Sequence, residues 1–148
     1  MASNPPNKRR NRGDFMSPET RSRVMSRIRG RGTGLELEVA SELKKRGVRW
    51  ESHSQDIPGR PDFLFRTQKV ALFVDGDFWH GWRFPLWRDK LSEPWEVKIQ
   101  ANRARDRKNY QKLRRRGSMV IRIWEHQIKK DKERYIQKVL DMLDRKND

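Results

Sequence analysis

Cysteine is absent from the 148 residues, which excludes disulfides and thiolate metal sites and fits a reducing cytoplasm. No apolar run is long enough to span a bilayer. The amino terminus is polar and basic where a secretory signal would turn apolar, so neither a membrane span nor an export signal is expected. Acidic residues are scarce too: 20 Asp and Glu face 36 Lys and Arg, a formal net charge of +16. An excess of that size exceeds what solubility needs and points to a polyanion, with nucleic acid foremost, because each neutralised phosphate releases condensed counterions. A basic membrane binder would pair its charges with an apolar helical face, and the most basic segments here carry few apolar residues.

What the chain does contain is tryptophan, six of them at a mean hydropathy of −1.15, more than a modest core is expected to take. Residues 1–16, rich in Pro, Asn and Arg, read as a flexible basic arm, and residues 17–148 as a single domain. Ser17-Pro18-Glu19 predicts a short helix to about Ile28, ended by Gly30, Gly32 and Gly34. A second helix, Leu35 to Arg46, turns Leu35, Val39 and Leu43 inward and stops at Gly47, with Glu36 beside the apolar stripe. Strands are expected at Val48–Ser52, Phe63–Phe65 and Val70–Val74; antiparallel pairing of the last two brings Asp62 and Asp75 together. An irregular stretch, Gly81 to Pro94, precedes a long helix from about Trp95 to Arg116 with Ile99, Tyr110 and Leu113 inward. Between Lys98 and Arg116 nine Lys and Arg stand against Asp106 alone. A strand, Met119–Trp124, and a helix, Lys130–Leu143, with Ile136, Val139, Leu140 and Leu143 inward, close the chain. That order predicts a mixed-sheet α/β domain with helices over the sheet faces.

The segment from Pro58 to Trp82 concentrates the chemistry. It holds Asp62, Asp75, Asp77 and His80 beside the aromatic pair Phe78-Trp79. Phosphodiester hydrolysis needs a hard cation to offset phosphate charge and a group that takes a proton from water. Magnesium accepts one or two carboxylates with water and phosphate completing its shell, and Asp62, behind the Pro-Gly-Arg-Pro turn, is the single anchor expected. His80 titrates near neutrality and is the proton acceptor expected. Phe78 and Trp79 follow Asp75-Gly76-Asp77 in a loop, where exposed aromatics stack on ligands. Taken one at a time, Asp62 reads more readily as a turn residue and His80 as a packed or surface histidine; the grouping carries the reading.

PGRPDF followed by VDGDFWHG, with MSRIRGRGT upstream and KIQANRARD and VIRIWEH downstream, resembles the very-short-patch repair endonuclease family over about residues 15–143. The resemblance implies a restriction-endonuclease-like fold, a mixed central sheet flanked by helices, and magnesium-dependent nicking of one strand of double-stranded DNA beside a thymine-guanine mismatch, by a cytoplasmic, nucleoid-associated monomer. It implies that Asp62 binds the metal, that the Val74 backbone carbonyl supplies a second ligand and that His80 activates water. Glu36 and Asp106 match acids that orient water or the histidine. Asp75 stands where some members have a second histidine. Phe78, Trp79 and Trp95 match aromatic wedges that enter the base stack, and Lys98 and Arg103 lie on the basic helix that would hold phosphates. Insertion costs a few kcal/mol per unstacked step, less at a mispair, so the wedge itself favours mismatches.

The chain departs from the family where members carry a structural zinc: Asp77, Trp82 and His126 occupy such positions. No structural zinc is expected, and packing by Trp82 or an Asp77-His126 pair is expected in its place. The lysine common two residues after the second-strand acid in the wider nuclease superfamily is also missing, leaving its role to His80. Two rivals remain: a homing-type or restriction-type enzyme cutting matched duplex at a defined site, and a non-catalytic DNA-binding module.

Overall fold

The computed structural model describes residues 34–147. The basic arm, the helix expected to end near Ile28, and Gly30 and Gly32 lie outside the described residues. The elements run α1 (Gly34–Lys45), β1 (Phe63–Phe65), β2 (Val70–Asp75), α2 (Phe84–Trp87), a 3₁₀ turn (Arg88–Lys90), α3 (Glu93–Arg115), β3 (Met119–Trp124) and α4 (Glu125–Asn147).

Three strands form a mixed sheet ordered β1-β2-β3: β1 runs antiparallel to β2, with Phe63 opposite Leu72, and β3 runs parallel to β2, with Val74 opposite Ile123. β2 is buried along its whole length, as a central strand covered on both faces must be. On one face Leu72 and Val74 meet Leu35, Val39 and Leu43 of α1 and Ile136, Val139 and Leu143 of α4. On the other, Ala71 and Phe73 meet Tyr110 and Leu113 of α3. Each of these large apolar side chains contributes roughly 1.5–3 kcal/mol by leaving water.

The sequence expectations hold for α1, the hairpin, the inward residues of α3 and the strand β3. Three differ. Val48–Ser52 forms no strand; only Glu51 bridges Leu64, because β1 is three residues long and its outer edge offers few pairing sites. The stretch expected to be irregular contains α2, started by Pro85 in its first turn, where proline's missing N–H and fixed φ suit a helix. The last helix begins at Glu125, directly after β3, and kinks at Asp131 (φ −157°, ψ 75°), whose carboxylate accepts the Arg134 N–H and caps the longer portion. Leu140 is only half-buried there.

A parallel pair opens its functional edge at the carboxyl ends of its strands. Here β2 ends at Asp75 beside Trp124, the end of β3, while antiparallel β1 begins there, just after Asp62. Among the described residues no helix is long and apolar enough to cross a membrane.

Candidate active site

Two neighbouring groups of titratable side chains meet at this edge. In the first, the Val74 N–H donates to Asp62 Oδ2 at 2.7 Å, fixing the carboxylate against the end of β2. Glu36, in the first turn of α1, and His53, from the following loop, complete it: His53 Nε2 lies 3.1 Å from Glu36 Oε2 and 3.4 Å from Asp62 Oδ1. The loop reaches Asp62 because Glu51 pairs with Leu64 and the His53 N–H donates to the Pro61 carbonyl at 3.0 Å, extending the antiparallel ladder past β1. Burial, and then the charge of Glu36, push the Asp62 carboxyl up to about 8. Two acids crowded out of water is the condition a divalent cation relieves.

The second group centres on Asp75, only 2% exposed. Arg122 of β3 donates through Nε–H to Asp75 Oδ2 at 2.7 Å, and the Tyr110 hydroxyl donates to the same oxygen at 3.4 Å. The Arg122 guanidinium lies 4.9 Å from the Tyr110 ring centre and 4.3 Å from that of Trp124. His80 Nδ1 is 2.7 Å from Asp106 Oδ2, and its Nε2 is 3.5 Å from Asp75 Oδ1. An ionised carboxylate only accepts, so Nδ1 carries the proton and Nε2 keeps a lone pair when the ring is neutral. Burial works to lower the His80 pKa, but the hydrogen bond to Asp106 and the charge of Asp75 outweigh it and the net shift is upward. A cleft of about 350 Å³ opens beside His80, and Arg83, Arg103, Arg107 and Arg122 stand in its wall.

The guanidinium distinguishes the two groups. A cation at Asp75 would compete with Arg122, whose Nε lies 2.7 Å from that carboxylate, whereas among the described residues no Lys or Arg ion-pairs with Asp62. The oxygen-rich Glu36-Asp62 pair therefore fits a hard divalent cation, and the Asp75-His80-Asp106 set fits proton transfer.

The aromatic residues are less exposed than their loop position leads one to expect. Phe78 stacks on Trp79 at 6.3 Å and on Trp87 at 5.6 Å and meets Trp95 edge-on at 5.6 Å; all four rings are half-buried over Phe84, Leu91 and Ile99. Asn102 donates to the Trp79 carbonyl at 3.2 Å. Gly81, at φ +73°, lets α3 approach this loop: a Cβ there would lie 2.6 Å from Arg103 Cδ. Lys98 Nζ sits 5.8 Å from the Trp95 ring centre, so the basic face of α3 adjoins the platform.

The Asp77-His126 pair is present, Oδ1 to Nδ1 at 2.7 Å, and the Trp82 ring covers His126 at 4.5 Å. A hydrogen-bonded pair and an indole thus join the loop after β2 to the start of α4.

The residues named from the segment and from the resemblance fall into two adjoining groups: Asp62, Val74 and Glu36 in one, and Asp75, His80 and Asp106 in the other. His53, Arg122 and Tyr110 were missed. His53 lies in a polar loop, and its one signal was rarity, as one of three histidines. Arg122 had a clearer one, a charge inside the apolar run VIRIW, for which a buried partner is required.

Residues 13–85 match the family described as DNA mismatch endonuclease Vsr. The chain is 38% identical over 114 residues to the type II nicking enzyme V.XorIIP of Xanthomonas oryzae pv. oryzae, covering 76% of this chain and 84% of the relative. It is 34% identical over 134 residues to the type II nicking enzyme V.HpaIIP of Haemophilus parainfluenzae, covering 86% and 95%. Against the DNA mismatch endonuclease Vsr of Escherichia coli identity is 33% over 114 residues, covering 76% and 73%.

Proposed function

Because the chain belongs to the Vsr family of DNA mismatch endonucleases, we propose that it nicks one strand of duplex DNA beside a thymine-guanine mismatch, using a magnesium ion held at Asp62. The family makes it a DNA-cleaving hydrolase; the mismatch, the metal and the residue roles are our reading. The observation that carries it is the Val74 N–H bond to Asp62, which ties a metal-type carboxylate to the strand end from which Asp75 and His80 follow.

Asp62 and the Val74 carbonyl are the ligands in this reading, with Glu36 orienting water; the cation supplies positive charge against the phosphate oxygens when bound. His80 Nε2 takes the proton from the attacking water. Asp106 holds the ring through Nδ1 and stabilises the imidazolium that forms. Asp75, neutralised by Arg122, is a fixed acceptor facing Nε2 and not a ligand. The cleft arginines and Lys98 receive backbone phosphates, and Phe78, Trp79 and Trp95 enter the stack at the weakened step. One such centre cuts one strand, which supports a monomer; the reading further takes residues 17–148 as a restriction-endonuclease-like domain behind a basic amino-terminal arm, acting at the bacterial nucleoid.

A second reading has support in the names of the relatives, two of which are called type II nicking enzymes without mention of a mismatch. A magnesium-dependent nicking assay on labelled duplexes carrying each mispair, with matched and single-stranded controls, separates the two. Preference for the thymine-guanine duplex supports the first, and equal cutting of matched sites the second. Binding without cleavage of any duplex overturns both.

A further inference from the structure

The proton relay at His80 leaves the neighbouring imidazole, His53, without a task, although it touches both acids of the first group. We propose that His53 Nε2 is a direct ligand of the divalent cation, giving it one nitrogen donor beside Asp62 and the Val74 carbonyl, with the Glu36 carboxylate close by to orient bound water. The inference rests on the metal reading of Asp62 above.

Spacing is the first argument. Adjacent donors around a cation at bond lengths of about 2.1–2.3 Å lie roughly 3.0–3.3 Å apart in an octahedron and slightly farther in a tetrahedron. His53 Nε2 stands 3.1 Å from Glu36 Oε2 and 3.4 Å from Asp62 Oδ1, and one ligand atom from each residue falls within 4.8 Å of the others. His53 Nε2 and Asp62 Oδ1 have a separation suited to ligands sharing one centre, and Glu36 lies within reach of the same shell.

Backbone construction is the second. His53 adopts φ +51°, a left-handed conformation that costs a non-glycine residue on the order of 1 kcal/mol or more. The ladder bonds at Glu51 and the His53 N–H bond to Pro61 hold it there, so the ring is directed by main chain that pairs beside Asp62 itself. The surrounding structure sustains a strained position to bring this imidazole to these carboxylates.

Charge is the third. Carboxylate oxygens grouped with an imidazole nitrogen match a divalent cation, and among the described residues no Lys or Arg ion-pairs with Asp62. Nothing comparable holds at Asp75, where Arg122 already supplies the positive charge. A nitrogen donor also shifts selectivity, because imidazole favours manganese, cobalt and zinc over magnesium more than carboxylate or water does. The site would accept magnesium yet bind manganese with added preference.

The test uses manganese alone as probe, bound to the full chain without DNA. Pulsed electron paramagnetic resonance of the manganese-loaded protein, prepared with ¹⁵N-labelled and unlabelled histidine, should show coupling to a directly bound imidazole nitrogen. The coupling should vanish in His53→Gln and persist in His80→Gln. By calorimetry His53→Gln should lose about tenfold more affinity for manganese than for magnesium. Manganese that binds in an Asp62-dependent way without nitrogen coupling overturns the inference and leaves His53 an ion-pair bracket between two acids. No binding at millimolar manganese, or binding indifferent to Asp62→Ala, overturns the metal reading beneath it. The spectrum of the unmutated protein decides the question even if a variant fails to fold.

Discussion

His80 Nδ1 lies 2.7 Å from Asp106 Oδ2, and that contact leaves Nε2 as the ring nitrogen turned toward Asp75. The base form of His80 is neutral, and Asp106 is the main group raising its pKa against burial. Activity should therefore rise with pH through a value above that of a free histidine. Asp106→Asn keeps an acceptor but removes the charge, so the acid limb of the single-turnover pH-rate profile should move to lower pH. The plateau rate should fall about 10–100-fold with DNA affinity unchanged. A limb that stays in place would show that Asp106 does not act through His80.

Asp62 is also shifted upward, but there the protonated form that folding favours is the neutral one. Burial and Glu36 raise its carboxyl from 3.8 to about 8, so the folded state favours the protonated form. The stability this contributes is fully present below pH ~4 and lost as pH rises through ~8. Without metal, Asp62→Asn should accordingly be more stable than the wild type at pH 8–9, by at least about 1 kcal/mol or ~2–4 °C in Tm. Added magnesium should stabilise only the wild type. Melting curves at pH 5 and pH 8.5, with and without the ion, check both signs.

Asp62→Ala should abolish nicking while most duplex affinity survives, since the basic surface is untouched. A gel-shift titration beside the cleavage assay tests the separation. Substantial nicking by the variant would remove Asp62 from the site.

Phe78 and Trp79 carry two roles, because the rings form a half-buried platform as well as the surface proposed to enter DNA. Phe78→Ala with Trp79→Ala should cost roughly 1–3 kcal/mol of stability and reduce discrimination between mismatched and matched duplex. Equal loss of affinity for the two duplexes would argue against a wedge.

His126→Ala should lower stability by about 1 kcal/mol, through the lost contact with Trp82 and the partly exposed pair with Asp77, and leave nicking at 25 °C unchanged. Removing Lys98 or Arg107 should instead weaken binding evenly across sequences, each substitution reducing the slope of log affinity against log salt by about one.

Local rules carried far in this chain. The helix α1 followed from the spacing of Leu35, Val39 and Leu43 with Gly47 as stop, and the hairpin from two apolar runs around a polar turn. Asp62 and His80 were readable because both lie in one segment with a distinctive motif. The start of α4 was not, because Glu125-His126-Gln127 follows β3 without a breaker, and the stripe that marks the helix begins only past the kink at Asp131.

By itself the sequence determined the polyanion partner, the apolar faces and the segment where the acids gather, because charge, periodicity and motif are local properties. Tertiary structure alone decided which acids share a site. Asp75 and Asp62 look alike in the chain, but parallel pairing sets Arg122, 47 residues beyond Asp75, on the strand beside it. A ladder extended past β1 brings His53 to Asp62. One carboxylate is thereby paired with a guanidinium and the other with an imidazole, a difference made by neighbours in space that no spacing along the chain encodes.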